Sequence, residues 1–485
     1  MSSTALPVAR HVDEPASYFA AVRRWMPALV VVAGVDIAFA YTAFDRGAVE
    51  TVLGGVIALG VMALCIFRPR PALLAFAGSW GVVHVLLSNG ELEKTGGVSA
   101  SISQLLGVTV VLGFGIAVVG LHSRRGSRPL PFPLRAFAMF AVVYALAELI
   151  TPFHAAGLSD LFKIVGGVVL AFIGYYVIDD EKRLLALARA VGIAGVLVAV
   201  GALAQFTFGS GLTLQSQAEI SGPYRATSVL GSANGTAEFL LICAGFVLLR
   251  YALRRDRYRV RADLTTLAIV SIGIVVTFTR ADIIALVVML VVWAALWQVR
   301  STSAIGPRVR LATIAVAGAV AVVQVVGSAS LISRAEGRLH SSGTAQVLTG
   351  REAIWSNELH KLESADLGTT LIGSGAHTSN TSVYVPQSEK YVEYPPHDLF
   401  LWLAIETGLV GLVVYGSALF SLSRSFLTVA RGSRFTPSGQ VAAVAFATTI
   451  AVILDSMFHN TQVSTDSEWY FMLFVGVTLR KIERR

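Results

Sequence analysis

The sequence predicts an all-α, polytopic membrane protein with about fourteen transmembrane helices and one long external loop containing short helices. Three observations predict it. Of the 485 residues, 55% are hydrophobic and only 14% charged, where a soluble domain carries about 25% charged residues. Mean hydropathy is +0.69. Apolar runs of membrane-spanning length recur along the whole chain. This pattern excludes a disordered chain and a basic nucleic-acid-binding protein, and argues against a soluble enzyme. Cys65 and Cys243 both sit in apolar runs, which argues against a disulfide framework or a cysteine metal site.

A bilayer core takes about 20 mostly apolar residues per helix. Such runs lie near 26–44, 51–67, 72–88, 104–121, 136–150, 161–178, 184–206, 236–253, 264–279, 281–299, 311–328, 398–420, 440–456 and 469–480. They leave no room for a soluble domain, so residues 1–485 read as a single integral membrane domain. The first 25 residues are polar and carry Arg10, Arg23 and Arg24, which predicts a retained first span rather than a cleaved leader.

The connections alternate in charge. One set holds the N-terminus, 68–70, 122–135, 179–183, 250–261, 300–310, 424–434 and the C-terminal tail, with 27 Lys and Arg in all. The other set holds ten, five of them in one long loop. The positive-inside rule makes the first set cytoplasmic. Both termini then face the cytoplasm, consistent with an even number of spans, and the net charge of +8 reports topology rather than an acidic partner.

Two external connections are long, 207–235 and 329–397. In the second, Val347, Ile354, Trp355, Leu359 and Leu362 recur at helical spacing, and Thr349 with Glu352 fits a capping box opening that helix. Such a helix suits either the membrane surface or a lid on the bundle. The glycines of LIGSGAHTSN at 371–380 read as a tight turn.

Three external segments hold candidate chemistry. GPYRATSVLGSANGTAEF at 222–239 carries Arg225, with Asn234 and Glu238 opening the next span. TFTRAD at 277–282 holds Arg280 in a very tight hairpin. YPPHDLFLWLAIETGLVG at 394–411 sets His397 and Asp398 at the mouth of a span. An arginine at a helix end is ordinarily a snorkelling anchor, but positive-inside bias disfavours arginine on this face. The two prolines restrict where His397 points. Glu406 lies within the predicted span, nine residues after His397 and so about 180° around a straight helix. A structural role, hydrogen-bonded to a neighbouring helix or loop, suits it.

HDLFLWLAIETGLVG resembles the signature of the O-antigen ligase and polymerase superfamily, in which a His begins a helix and Glu-x-Gly-x-x-Gly follows; His397, Glu406, Gly408 and Gly411 fit. The family's usual Asn after the His is replaced by Asp398. TGREAIW at 349–355, GSG at 373–375, TFTRAD and the Arg225–Asn234 stretch are also similar to family segments, in family order. The resemblance covers about 220–411. It implies a GT-C type membrane glycosyltransferase that moves a glycan from a polyprenyl-diphosphate carrier to a glycan, lipid or protein acceptor, outside a bacterial cytoplasmic membrane.

Cleaving a sugar–diphosphate bond leaves a strongly anionic group. The external sequence has no Asp-x-Asp and no His, Asp or Glu cluster at ligand spacing, so no metal or other cofactor is expected. Arg225 and Arg280 are the expected diphosphate clamp, since guanidinium binds phosphate bidentately. His397 is the expected general base, because histidine's ordinary pKa lies near neutrality; two nearby arginines would keep it neutral. Tyr224, Asn234, Arg351 and Asp398 are expected to bind substrate, with Asp398 also able to orient His397, and Glu406, Gly408 and Gly411 to be structural. Expected partners are the lipid-linked donor, the acceptor and membrane lipids, with no nucleic acid. Ligase and polymerase are not separated at this stage. A lipid-linked glycan transporter or flippase is the main alternative, although no internal repeat is visible; a shape- or division-type peptidoglycan polymerase is a third.

Overall fold

A computed structural model describes residues 48–88, 102–124, 129–208, 226, 228–230, 232–254, 257–296, 345–385, 390–394, 396–433, 436–458 and 465–483. Helices occupy most of these. In chain order they are α1 (Ala48–Phe67), α2 (Pro69–Ser88), α3 (Ile102–Arg124), α4 (Phe132–Ile150), α5 (His154–Val177), α6 (Glu181–Phe208), α7 (Ala233–Leu253), α8 (Arg257–Val276) and α9 (Arg280–Leu296). Then come α10 (Ala345–Ser364), α11 (Leu367–Ile372), the strands β1 (Thr381–Val385) and β2 (Lys390–Tyr394), α12 (Leu399–Glu406), α13 (Gly408–Gly432), α14 (Pro437–Ser456) and α15 (Thr465–Glu483).

Twelve of the fourteen apolar runs coincide with helices; 26–44 and 311–328 lie outside the described residues. Among the described residues, seven helices are long and apolar enough to cross a membrane: α3 to α7, α13 and α14. The described residues thus support a multi-span helical protein, with seven such helices among them. Several other helices are shorter or carry charge within the span length. α9 has 17 residues, and α8 opens on RYRVRAD.

α7 lies at the centre. It packs against α6, α8, α9, α14 and α15 and is buried along nearly its whole length, as expected of a helix apolar on every side. The outer helices α4 and α13 turn Met139, Val142, Leu146, Val413 and Phe420 outward, the arrangement lipid demands. α5 and α15 make an extensive helix pair, and they approach closely at Gly476, where a Cβ would strike the Ala171 carbonyl. Trp80 stacks on Trp469 at 5.4 Å, the Trp469 indole donates to the Lys163 carbonyl at 2.8 Å, and the Tyr470 hydroxyl donates to the Ala77 carbonyl at 2.9 Å. These contacts tie α2, α5 and α15 together.

The described part of the long loop is folded. α10 packs on α12 and β1, with Ile354 and Glu358 buried and the Trp355 indole donating to the Pro396 carbonyl at 2.8 Å. α10 therefore packs against the 396–406 segment. It begins at Ala345, so Thr349 and Glu352 lie inside the helix and the expected capping box is not its start. β1 and β2 form an antiparallel hairpin that the helical pattern did not anticipate, pairing Thr381 with Tyr394 and Val385 with Lys390.

The run read as one span at 398–420 is broken at Thr407. α12 is a separate eight-residue helix, and the membrane-length helix is α13. Glu406 therefore precedes the span instead of lying within it.

Candidate functional site on one end of the bundle

Two of the sequence segments meet at the start of α7. Ser232 caps that helix, its hydroxyl accepting from the Gly235 amide at 3.3 Å. α8 ends at Val276 and α9 begins at Arg280, so Thr277–Thr279 forms a tight turn. The Thr277 hydroxyl donates to the Ile274 carbonyl at 2.7 Å, and its oxygen lies 3.0 Å from Thr279 Oγ1. The Thr279 hydroxyl reaches the Ala233 carbonyl at 3.4 Å. The Ala226 amide, one residue after Arg225, donates to the Val276 carbonyl at 3.3 Å. Ser228 is anchored to α6, its hydroxyl donating to the Val198 carbonyl at 2.6 Å and its amide to Gln205 Oε1 at 2.8 Å.

Arg280 emerges from this junction exposed, at the first position of α9. Asn234 is half-buried on the first turn of α7. A guanidinium at a helix N-terminus adds its charge to amides that already favour anions. Tyr224 and Arg225 lie outside the described residues. Behind the junction, Glu238, Asp282 and Asp455 are buried and within electrostatic reach of one another, joining α7, α9 and α14.

His397 sits in the Pro396–Asp398 connection, half-buried, with φ 52°. Trp355 holds the preceding carbonyl. The Asp398 carboxylate caps α12, Oδ1 accepting from the Phe400 amide at 2.8 Å and the Leu401 amide at 2.9 Å. Asp and Asn cap helices equally well, so Asp398 meets the geometry the family's Asn would meet. Desolvation pushes the Asp398 carboxyl up, and the two amides offset part of that push. Arg351 is on α10. The contacts that fix His397's segment run to α10 and, through Trp402 stacked on Tyr144 at 5.4 Å, to α4. Those that fix Arg280 run to α7 and the 226–228 segment.

Glu406, Gly408 and Gly411 lie at a close packing point between the 371–379 loop and the start of α13. The Glu406 carboxylate accepts from the Tyr144 hydroxyl at 2.8 Å and the Ser379 hydroxyl at 2.6 Å. Gly408, at φ 63°, presses against the backbone of Leu371 and Gly373, where an added Cβ would lie 2.5 Å from three backbone atoms. The spacing Glu-x-Gly thus lets two chains cross at van der Waals distance. At Gly411 a side chain would collide with Thr407. Gly408→Ala is expected to destabilise the fold by about 1–3 kcal/mol, from the left-handed backbone and the overlap together; apparent melting temperature and protease sensitivity of the 371–380 loop measure it.

Burial pushes the Glu406 carboxyl up to about 7, against the pull of Ser379 and Tyr144. The folded state therefore favours the protonated acid. Its stabilisation is complete below the ordinary value of 4.5 and is lost as pH rises through about 7. Glu406→Gln, neutral at every pH, is expected to flatten the fall in apparent melting temperature between pH 5 and pH 8, an effect on the order of 3 kcal/mol at most.

Sequence reasoning passed over His377. Its Nδ1 pairs with Asp160 Oδ2 at 3.1 Å, and its Nε2 meets Asn380 Nδ2 at 3.0 Å. Lys163 Nζ binds Asp160 Oδ1 at 2.8 Å. The signal was a histidine in a glycine turn, which spacing alone does not connect to an aspartate 217 residues away. Among the described residues, the non-glycine positions with left-handed backbone are Ser228, Phe278, His377 and His397. All four lie on this end of the bundle, in segments the sequence singled out. Such strain persists only where surrounding structure imposes it, and it concentrates at functional sites.

A bundle of apolar helices with a polar, strained cluster and the packed helix α10 at one end defines a multi-span membrane protein with a candidate site there. Residues 265–416 match a family model described as O-Antigen ligase, which supports the O-antigen ligase and polymerase superfamily. The match runs from α8 into α13 and takes in Arg280, α10, His397 and the Glu406–Gly411 segment. It supports an O-antigen ligase-type membrane enzyme with a glycosyltransferase-like reaction between a lipid-linked glycan and an acceptor. No curated protein matches the chain.

Proposed function

We propose that the protein transfers a glycan from a polyprenyl-diphosphate carrier to an acceptor hydroxyl at the external face of a bacterial cytoplasmic membrane, as a ligase or polymerase of surface polysaccharide. The observation that carries this reading is the junction before Arg280, where the Ala226 amide donates to the Val276 carbonyl and the Thr279 hydroxyl reaches the Ala233 carbonyl.

In this reading Arg280 and Arg225 hold the diphosphate, assisted by the amides opening α9. His397 takes the proton from the acceptor hydroxyl as its oxygen bonds to the sugar C1. The C1–O bond to phosphate breaks, and its electron pair leaves on the diphosphate, where the guanidinium groups stabilise the charge. Tyr224, Asn234, Arg351 and Asp398 line the path of donor and acceptor. A single displacement of this kind inverts the anomeric centre. No metal takes part.

Purified protein in nanodiscs, given a polyprenyl-diphosphate glycan and a glycan acceptor, is expected to release polyprenyl diphosphate and form a new glycoside, with rates unchanged in EDTA. Movement of intact donor between leaflets without glycoside formation would instead establish a flippase. Loss of activity in EDTA with rescue by a divalent cation would remove metal independence.

A further inference from the structure

At the opposite end of the bundle from Arg280 and His397, three segments from the basic set come together. Pro131–Pro133 at the start of α4, the last turns of α13 and the end of α15 enclose a groove of about 470 Å³. Its walls are largely apolar: Phe132, Val429, Leu479 and Ile482. One face of α13 adds Ser421, Arg424, Ser425 and Thr428 at helical spacing; the Ser421 hydroxyl donates to the Ala418 carbonyl at 3.0 Å, and the spacing aligns the guanidinium with the Ser425 and Thr428 hydroxyls. Arg424 is exposed and, among the described residues, pairs with no carboxylate. Glu483 also lines the groove, but its carboxylate accepts from the Tyr175 hydroxyl at 2.5 Å. Further cationic charge stands nearby. The Arg135 guanidinium lies 5.9 Å from the Phe132 ring centre, and that of Arg480 lies 5.2 Å from the Tyr175 ring centre.

We propose that this groove binds the headgroup of an anionic phospholipid from the cytoplasmic leaflet. Arg424 takes the phosphodiester, the Ser425 and Thr428 hydroxyls donate to its free oxygens, and the apolar walls receive the upper acyl chains. A free anion would use the guanidinium and leave those walls unoccupied. A lipid uses both, and the groove opens at the end of the helices where headgroups lie. Basic pockets between helices on this side of a membrane protein suit such lipids. The inference does not depend on the transfer reaction.

The test is lipid titration of the full chain in non-ionic detergent, read by native mass spectrometry, with phosphatidylglycerol and phosphatidylcholine of equal chain length. Wild type is expected to prefer phosphatidylglycerol. Arg424→Gln is expected to weaken that binding about fivefold, the worth of one basic residue at an anionic surface, with phosphatidylcholine unaffected. Arg68→Gln, at an exposed arginine between α1 and α2, is expected to change nothing. Equal phosphatidylglycerol affinity in Arg424→Gln and wild type would overturn the proposal. So would an equal loss in Arg68→Gln, which would show general surface attraction only, or displacement of the lipid by inorganic phosphate at matched concentration, which would show a simple anion site.

Discussion

Arg280→Ala is expected to reduce transfer by about 10²–10³-fold while the protein remains folded in the membrane. The side chain is exposed and is not part of the turn's own bonding, which runs through Thr277, Thr279 and Ala233. Its loss should therefore leave melting behaviour unchanged. Arg280→Lys tests geometry against charge. A lysine restores the cation but lacks the planar fork that meets two phosphate oxygens at once, so partial recovery is expected. In the proposed mechanism the guanidinium meets a charge that peaks as the carrier departs, so kcat should fall more than donor affinity. Arg225→Ala should behave the same way. Purified Arg280→Ala protein with near wild-type turnover would exclude this residue from diphosphate stabilisation.

Helix positions were legible because they rest on a strong physical signal. Hydrocarbon-length runs and a lopsided charge distribution leave few alternatives, and twelve predicted runs coincide with helices. The break at Thr407 was not legible from hydropathy. Residues 399–420 are apolar on both sides of it, and only the close backbone crossing of Gly408 with Gly373 forces it. Glycine marked the position without revealing its partner. The hairpin at 381–394 escaped for a similar reason, because helical spacing in the preceding residues governed the reading of the whole loop. Site residues fell into the same two groups. Asp398 and the Thr277–Thr279 turn act through near neighbours, so short motifs expose them. The bonds of Glu406 to Tyr144 and of His377 to Asp160 span 262 and 217 residues, and periodicity within one segment carries no trace of them.

Removing the imidazole at position 397 requires a substitution that the backbone tolerates. The φ of 52° there is left-handed, and a β-branched replacement would disturb the segment for reasons unrelated to proton transfer. Asparagine accepts that conformation and glycine prefers it. His397→Asn is therefore expected to retain the Trp355–Pro396 contact and the α12 cap while lowering kcat by about 10²–10⁴-fold, the usual worth of a general base. Donor binding should change little, because the proposed mechanism gives the diphosphate to the arginines. In His397→Gly the backbone relaxes and a space opens, so added imidazole should restore part of the rate in proportion to its unprotonated fraction. That dependence separates proton acceptance from simple support of the loop, since a structural defect would not respond to imidazole or follow its titration. Full transfer by His397→Asn would eliminate His397 as the base and direct attention to His377, the other histidine with a left-handed backbone among the described residues and the one that already has a carboxylate partner.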